Sequence, residues 1–207
     1  MIEEKLIPYL VNSTKEHWEL PAFTDYPGSS ISYKDVAKRI LWFHRVFRET
    51  GIKKGATIAL AGKNCSNWAL VWLGTVTYGA TIVPILANFS PEDTQHIINH
   101  SDAELVFISR DKFDNIDGDQ LKKVRMIFAL DDLSVLEDRR DKAKSDIKGF
   151  SDHTDLHAIS DKEFTIEDVC TNEDIAAIIY TSGTTGFSKG VMLPHRSLIA
   201  NILVAHK

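Results

Sequence analysis

Cysteine is scarce in this chain, and the scarcity excludes several classes of protein at once. Cys65 and Cys170 are the only two among 207 residues and form no C-x-x-C pair. That argues against a disulfide framework, a thiolate metal cluster or dithiol redox chemistry, and leaves two reduced, partly buried thiols as the expectation. Positive charge is also short. Lys and Arg total 24 against 29 Asp and Glu, a formal net charge of -5, with no basic patch of the kind a nucleic-acid surface requires. The N-terminus, Met1-Ile2-Glu3-Glu4-Lys5, lacks the basic-then-apolar plan of a secretory leader. Residues 64–91 carry no charge, yet Gly74, Gly79 and Pro84 interrupt them, so a helix followed by a buried strand is expected rather than a spanning helix. The reading is a cytoplasmic protein with no transmembrane segment, no nucleic-acid partner, and peripheral membrane contact left open. Repeats and low-complexity tracts are absent too.

What remains is an ordinary globular composition, 43% hydrophobic and 26% charged, in a chain long enough for a proper core. Apolar spacing predicts a short helix over residues 3–11, broken by Asn12 and Ser13, then strands at 20–23 and 31–33 around the turn at Tyr26-Pro27-Gly28-Ser29. Ser32 and Asp35 make a capping box for a helix that buries Val36, Ile40, Phe43 and Phe47 and stops at Gly51. Lys38, Arg39, Arg45 and Arg48 within it read as a solvated face.

Strand and helix then alternate: strand 57–61, helix 67–78, strand 81–84, a helix opened by Ser90-Pro91 and running to His100, and strands 104–108 and 125–130. His100 is expected to cap that helix's C-terminus rather than to act in chemistry. The fold class is therefore α/β, a mainly parallel sheet flanked by helices. From about 131 to 163 the chain turns polar, a solvated excursion in which Asp152, His153, Asp155 and His157 make only a weak metal-ligand pattern.

The most informative stretch follows the apolar run 175–180. Tyr180-Thr181-Ser182-Gly183-Thr184-Thr185-Gly186-Phe187-Ser188-Lys189-Gly190 places three glycines, a series of hydroxyls and one lysine in a loop between a strand and the apolar segment 191–193, before a helix from about Ser197. Glycines let backbone N–H groups converge on a phosphate, hydroxyls add donors, and Lys189 adds a mobile charge. The common NTPase loop needs a glycine at Ser188 and a hydroxyl at Gly190, so that match fails. A G-x-G-x-x-G dinucleotide fingerprint fails as well, because Ser182 stands at its first glycine.

The stretch instead resembles the signature loop of the adenylate-forming superfamily of acyl-CoA synthetases, luciferases and peptide-synthetase adenylation domains. The likeness continues through Val191, His195 and Arg196, with Ser188 where that family usually has proline. Upstream, Tyr33-Lys34-Asp35-Val36-Ala37, Gly51-Ile52-Lys53-Lys54-Gly55, Trp72-Leu73-Gly74, Tyr78-Gly79-Ala80 and Val83-Pro84 sit in the family's order. Asn88, Ile97, His100-Ser101-Asp102 and Val106-Phe107 look most like the long-chain fatty acyl-CoA synthetase branch.

The resemblance implies ATP-dependent activation of a carboxylic acid to an acyl-adenylate and then to a coenzyme A thioester. It implies that Thr181, Ser182, Gly183, Thr184, Thr185, Gly186 and Lys189 contact the ATP phosphates, with Thr181 also near Mg²⁺. It places the adenine, ribose and acyl pockets, and the catalytic lysine, in later parts of such enzymes. Residues 1–207 thus read as the N-terminal part of the large domain, with no catalytic residue of their own, inactive alone and open to self-association. The alternative is a self-standing, non-catalytic nucleotide- or phosphate-binding module.

Overall fold

The computed structural model describes residues 4–140, 159–181 and 189–205. The first of these residues form helix α1 (Leu6–Glu16), then the hairpin strands β1 (Pro21–Thr24) and β2 (Ser30–Ser32), which pair antiparallel apart from the main sheet. Helix α2 (Tyr33–Glu49) starts where Ser32 predicts. The Asp35 amide donates to Ser32 Oγ at 3.2 Å, and the Ser32 amide donates to the Asp35 carboxylate at 3.1 Å. The helix ends at Glu49, and just past the Thr50 cap stands Gly51, whose φ of +77° suits a residue without Cβ.

There follow β3 (Thr57–Ala61), α3 (Ser66–Tyr78), β4 (Thr81–Ile85), α4 (Pro91–His100), β5 (Leu105–Ile108), the one-turn α5 (Arg110–Phe113), β6 (Met126–Ala129) and β7 (Val135–Asp138). The last described elements are β8 (Ile175–Thr181), β9 (Lys189–Pro194) and α6 (His195–Ala205). Seven strands make one sheet in the order β7-β6-β5-β3-β4-β8-β9. Its five inner strands run parallel, and β7 and β9 close the two edges antiparallel.

Period-two alternation divides the core between the two faces. Ile58, Leu60, Leu105, Phe107 and Phe128 pack against Phe43 and Phe47 of α2 and Leu70 and Val71 of α3. Ala59, Val83, Ile85, Val106 and Ile127 face Ile97 and Ile98 of α4. The two helices of the first face approach closely because α3 carries a glycine at the contact. A Cβ on Gly74 would stand 2.7 Å from the Phe43 ring.

Two of these elements depart from the sequence reading. First, α1 runs through Asn12 and Ser13 instead of breaking there. Thr14 stays helical with its hydroxyl donated back to the Leu10 carbonyl at 2.7 Å, and burial of Leu6 and Ile7 outweighs weak propensity. Second, the polar excursion begins with a strand, β7, in the segment read as solvated. Asp152, His153, Asp155 and His157 lie outside the described residues.

Candidate phosphate-binding site

Strands β8 and β9 pair in step from the core outward, Ile178 with Met192, Ile179 with Val191, Tyr180 with Gly190 and Thr181 with Lys189. The expected phosphate ligands therefore divide into two groups. Thr181 and Lys189 stand opposite one another, both exposed, as the last described pair on the two arms. Ser182, Gly183, Thr184, Thr185 and Gly186 lie outside the described residues. The arms bring a hydroxyl and an ammonium to the two ends of the glycine-rich segment, so a polyanion held by its amides would have Lys189 beside it.

Each arm is anchored at its far end. The Thr81 hydroxyl donates to the Ile175 carbonyl at 3.0 Å, tying the start of β8 to β4. Beyond β9, the first amides of α6 find carbonyl acceptors in the turn that precedes β8: His195 N–H reaches Asp174 O and Arg196 N–H reaches Asn172 O, each at 3.0 Å. The helix thus begins at His195, two residues before the position read from sequence.

Asp174 fixes that turn. Its carboxylate takes the Lys54 ammonium at 2.8 Å and the Thr171 amide at 2.7 Å, and the hydrogen bond from Lys54, followed by that from Thr171, holds its pKa down to about 2. His195 is buried, and burial lowers its pKa, so it stands as a neutral packing residue.

Close to the mouth is a contact that no motif announces. Tyr180, 4% exposed, directs its hydroxyl at Nδ1 of His100, 2.6 Å away across 80 residues of sequence. Burial, with Asp102 nearby, pushes the phenol's pKa up, so the hydroxyl keeps its proton at neutral pH. The C-cap of α4 is Ser101, and His100 is the last helical residue turned toward β8. It therefore does not serve as the cap expected from sequence. A pairing at that separation leaves no local signal.

A second concavity, about 330 Å³, opens at the carboxyl ends of the inner strands, lined by Gly62, Lys63, Cys65, Ser109, Lys112 and Asp131 among others. It lies where the connections after β3 and β5 leave in opposite directions, the usual ligand crevice of an open α/β sheet. Cys65 is half-buried on its wall and Cys170 is buried elsewhere, both as free thiols. Among the described residues no helix is long and apolar enough to cross a membrane.

A mainly parallel sheet whose antiparallel edge ends in the Thr181–Lys189 pair sets the chain among open α/β proteins, a broad class. Comparison with known proteins narrows the class: the AMP-binding enzyme family model matches residues 11–206, and the chain belongs to that family. It is 31% identical over 167 residues to a crotonobetaine/carnitine–CoA ligase of Proteus mirabilis, covering 81% of this chain and 31% of that protein. It is 24% identical over 184 residues to the long chain acyl-CoA synthetase 2 of Arabidopsis thaliana, covering 87% of this chain and 27% of the relative. Among solved structures it superposes on a Mycobacterium tuberculosis fatty acyl CoA synthetase with a TM-score of 0.69 at 21% identity, over 93% of this chain and 35% of that one. The structural likeness shows that the sheet and its helices are those of such synthetases. The chain spans less than a third of the length of the two sequence relatives.

Proposed function

We propose that this chain carries the ATP-phosphate grip of an acid–thiol ligase, which activates a carboxylic acid, in our reading a long-chain fatty acid, to an acyl-adenylate and then to an acyl-CoA thioester. The observation that supports it is the placement of Thr181 and Lys189 as the closing pair of two arms joined by Ser182, Gly183, Thr184, Thr185 and Gly186. In the first step a substrate carboxylate oxygen bonds to the α-phosphorus while the bond to the bridging oxygen breaks and pyrophosphate leaves. Donors fixed on the β- and γ-phosphates favour that departure by holding charge that would otherwise build up on the leaving group. In the second step a thiolate takes the acyl group and AMP leaves.

Lys189 supplies the mobile charge, and Thr181 a hydroxyl at the loop's entrance. Magnesium accompanying ATP takes most of its ligands from phosphates and water. Among the described residues no group of three acidic, histidine or cysteine side chains could hold a metal alone, and Thr181 is the oxygen offered at the mouth.

We take residues 1–207 as an N-terminal part of the large domain, able to hold ATP but not to turn it over. Lys189→Ala is expected to weaken ATP binding about tenfold or more, the worth of one charge-assisted contact to phosphate. An unchanged dissociation constant by titration calorimetry would sink the reading. The chain alone should catalyse no ATP–pyrophosphate exchange with a fatty acid, and exchange above background would show a self-sufficient site. ATP binding without exchange in any longer form of the protein would favour a non-catalytic nucleotide-binding module.

A further inference from the structure

Strand β8 runs beside its parallel neighbour β4. The ladder between β4 and β8 pairs Ile82 with Ala177, and Tyr180 lies three residues beyond that pair, next to the phosphate mouth. On its other side β8 pairs with β9, the edge strand among the described residues. Near the loop end of the two arms, the Tyr180 side chain adds a tie to the body of the domain from another direction, toward α4.

Three observations describe the tie. Tyr180 sits opposite Gly190, and a Cβ added there would stand 3.1 Å from the ring's Cζ and 2.9 Å from Ile178 Cγ2, so glycine leaves the room the ring occupies. The hydroxyl meets His100 Nδ1 at 2.6 Å, with the two rings perpendicular, 89° apart at 5.7 Å between centroids. His100 is in turn fixed to a rigid helix end. Its ring lies 5.5 Å from that of His96, the neighbouring Ile97 and Ile98 are buried in the core, and Asn99 bonds Gln120 O and the Lys122 amide, each at 3.0 Å.

We propose that His100 is a positioning residue for the phosphate loop: through the Tyr180 hydroxyl, seated over Gly190, it sets the place at which β8 hands the chain to Thr181. The proposal rests on the phosphate reading of that loop and adds to it a residue on a different helix. The geometry demands a polar atom at the Nδ1 position, not merely a ring. An unsupported mouth would sample many separations of Thr181 from Lys189, and ATP would have to select the one that fits. A fixed mouth removes that cost in advance.

The test compares ATP affinity of the 207-residue chain, in the presence of magnesium, across variants that separate ring packing from hydrogen bonding. His100→Phe and Tyr180→Phe keep an aromatic ring and lose the bond. Each is expected to weaken ATP about three- to tenfold, the range of one net hydrogen bond. The double variant should be no weaker than the poorer single, because both remove the same contact. His100→Asn loses the ring but returns a polar atom near the Nδ1 position, and should bind within about twofold of the parent by the same accounting. A purely packing role predicts the reverse order, Phe tolerated and Asn damaging, and that result overturns the proposal.

Wild-type affinity in both Phe variants alongside a weakened Lys189→Ala also overturns it, while leaving the phosphate reading intact. Should Lys189→Ala itself change nothing, the phosphate reading fails, and amide hydrogen exchange at Thr181 and Gly190 then decides. Faster exchange in His100→Phe upholds the tie, and unchanged exchange ends it.

Discussion

The centre of the sheet and its β8–β9 arm are built on opposite terms. Strands β3, β5 and β6 are covered on both faces, and Phe107 of β5 and Phe128 of β6 join an aromatic cluster with Phe43 of α2, Phe43 meeting Phe107 edge-on at 5.6 Å and Phe107 stacking on Phe128 at 4.9 Å between centroids. On the arm, Thr181, Lys189, Gly190, Val191 and Met192 are all exposed. The centre holds the fold together and the arm carries the proposed phosphate contacts, so damage to the two should appear in different measurements. The largest effect belongs to the centre. Phe43→Ala removes a fully buried ring that touches both α3 and β5, and should cost about 4 kcal/mol of unfolding free energy in a denaturant titration. The folded fraction should still bind ATP normally, and a large loss of affinity per folded molecule would merge the two regions that the comparison separates.

The next effect sharpens the contrast through pH. His44 on α2 is largely enclosed, with Nε2 2.9 Å from Thr77 Oγ1, whose own proton goes to the Leu73 carbonyl at 2.6 Å. Since that hydroxyl has one proton to give, His44 must donate through Nε2. Burial first, then the nearby Arg48 charge, push its pKa down from 6.5 to about 4. The folded chain thus keeps His44 neutral where the unfolded chain takes up a proton. The contribution is whole above pH 6.5 and is lost as pH falls to about 4, in all about 3 kcal/mol. His44→Gln keeps a donor and cannot titrate. The stability difference between parent and variant should shrink by that amount across the window, and a flat difference would show that His44 bears none of the acid sensitivity. Lys189→Ala, by contrast, should leave stability within about 0.5 kcal/mol and act on ATP alone.

The contrast also explains what could be read from sequence. The centre is governed by local rules. Ser32 with Asp35 and Ser90 with Asp93 announce helix starts, and the runs at 57–61 and 105–108 are short, apolar and free of turn residues, so strands and helices fall near the expected positions. The stretch Thr181–Lys189 reads as a phosphate cradle because its glycines and hydroxyls cluster in sequence, and the structure adds that Thr181 and Lys189 stand opposite one another. What escaped notice depends on partners remote in sequence. Helix α1 outlasts Asn12 and Ser13 because of what its apolar face packs against. His100 turns to a tyrosine 80 residues away, and nothing in its neighbourhood distinguishes that from a cap. Strand β7 hides in a polar segment because an edge strand needs only one apolar face, and Val135-Leu136-Glu137-Asp138 is too short to show one.

The smallest effect concerns the two edges that bound these regions. Strand β7 is four residues long, with Leu136 bulged opposite Ile127 and Phe128, and charged: Asp138 takes the Arg140 guanidinium through two contacts of 2.9 and 3.0 Å. Short, irregular, charged strands resist pairing with another chain. At β9 the ladder is six residues long, and Val191 and Met192 point to opposite faces, 50% and 64% exposed. Apolar residues on both faces are the pattern of a strand meant to be covered on both sides. Isolated, the chain is therefore expected to self-associate through β9 and not through β7. Met192→Lys gives β9 the guard that β7 already has. Because the side chain is exposed, folding stability should move by less than about 0.5 kcal/mol. Sedimentation at rising concentration should show the parent associating and the variant remaining monomeric. Equal association of the two would mean that the contact lies elsewhere and that β9 is no more open than β7.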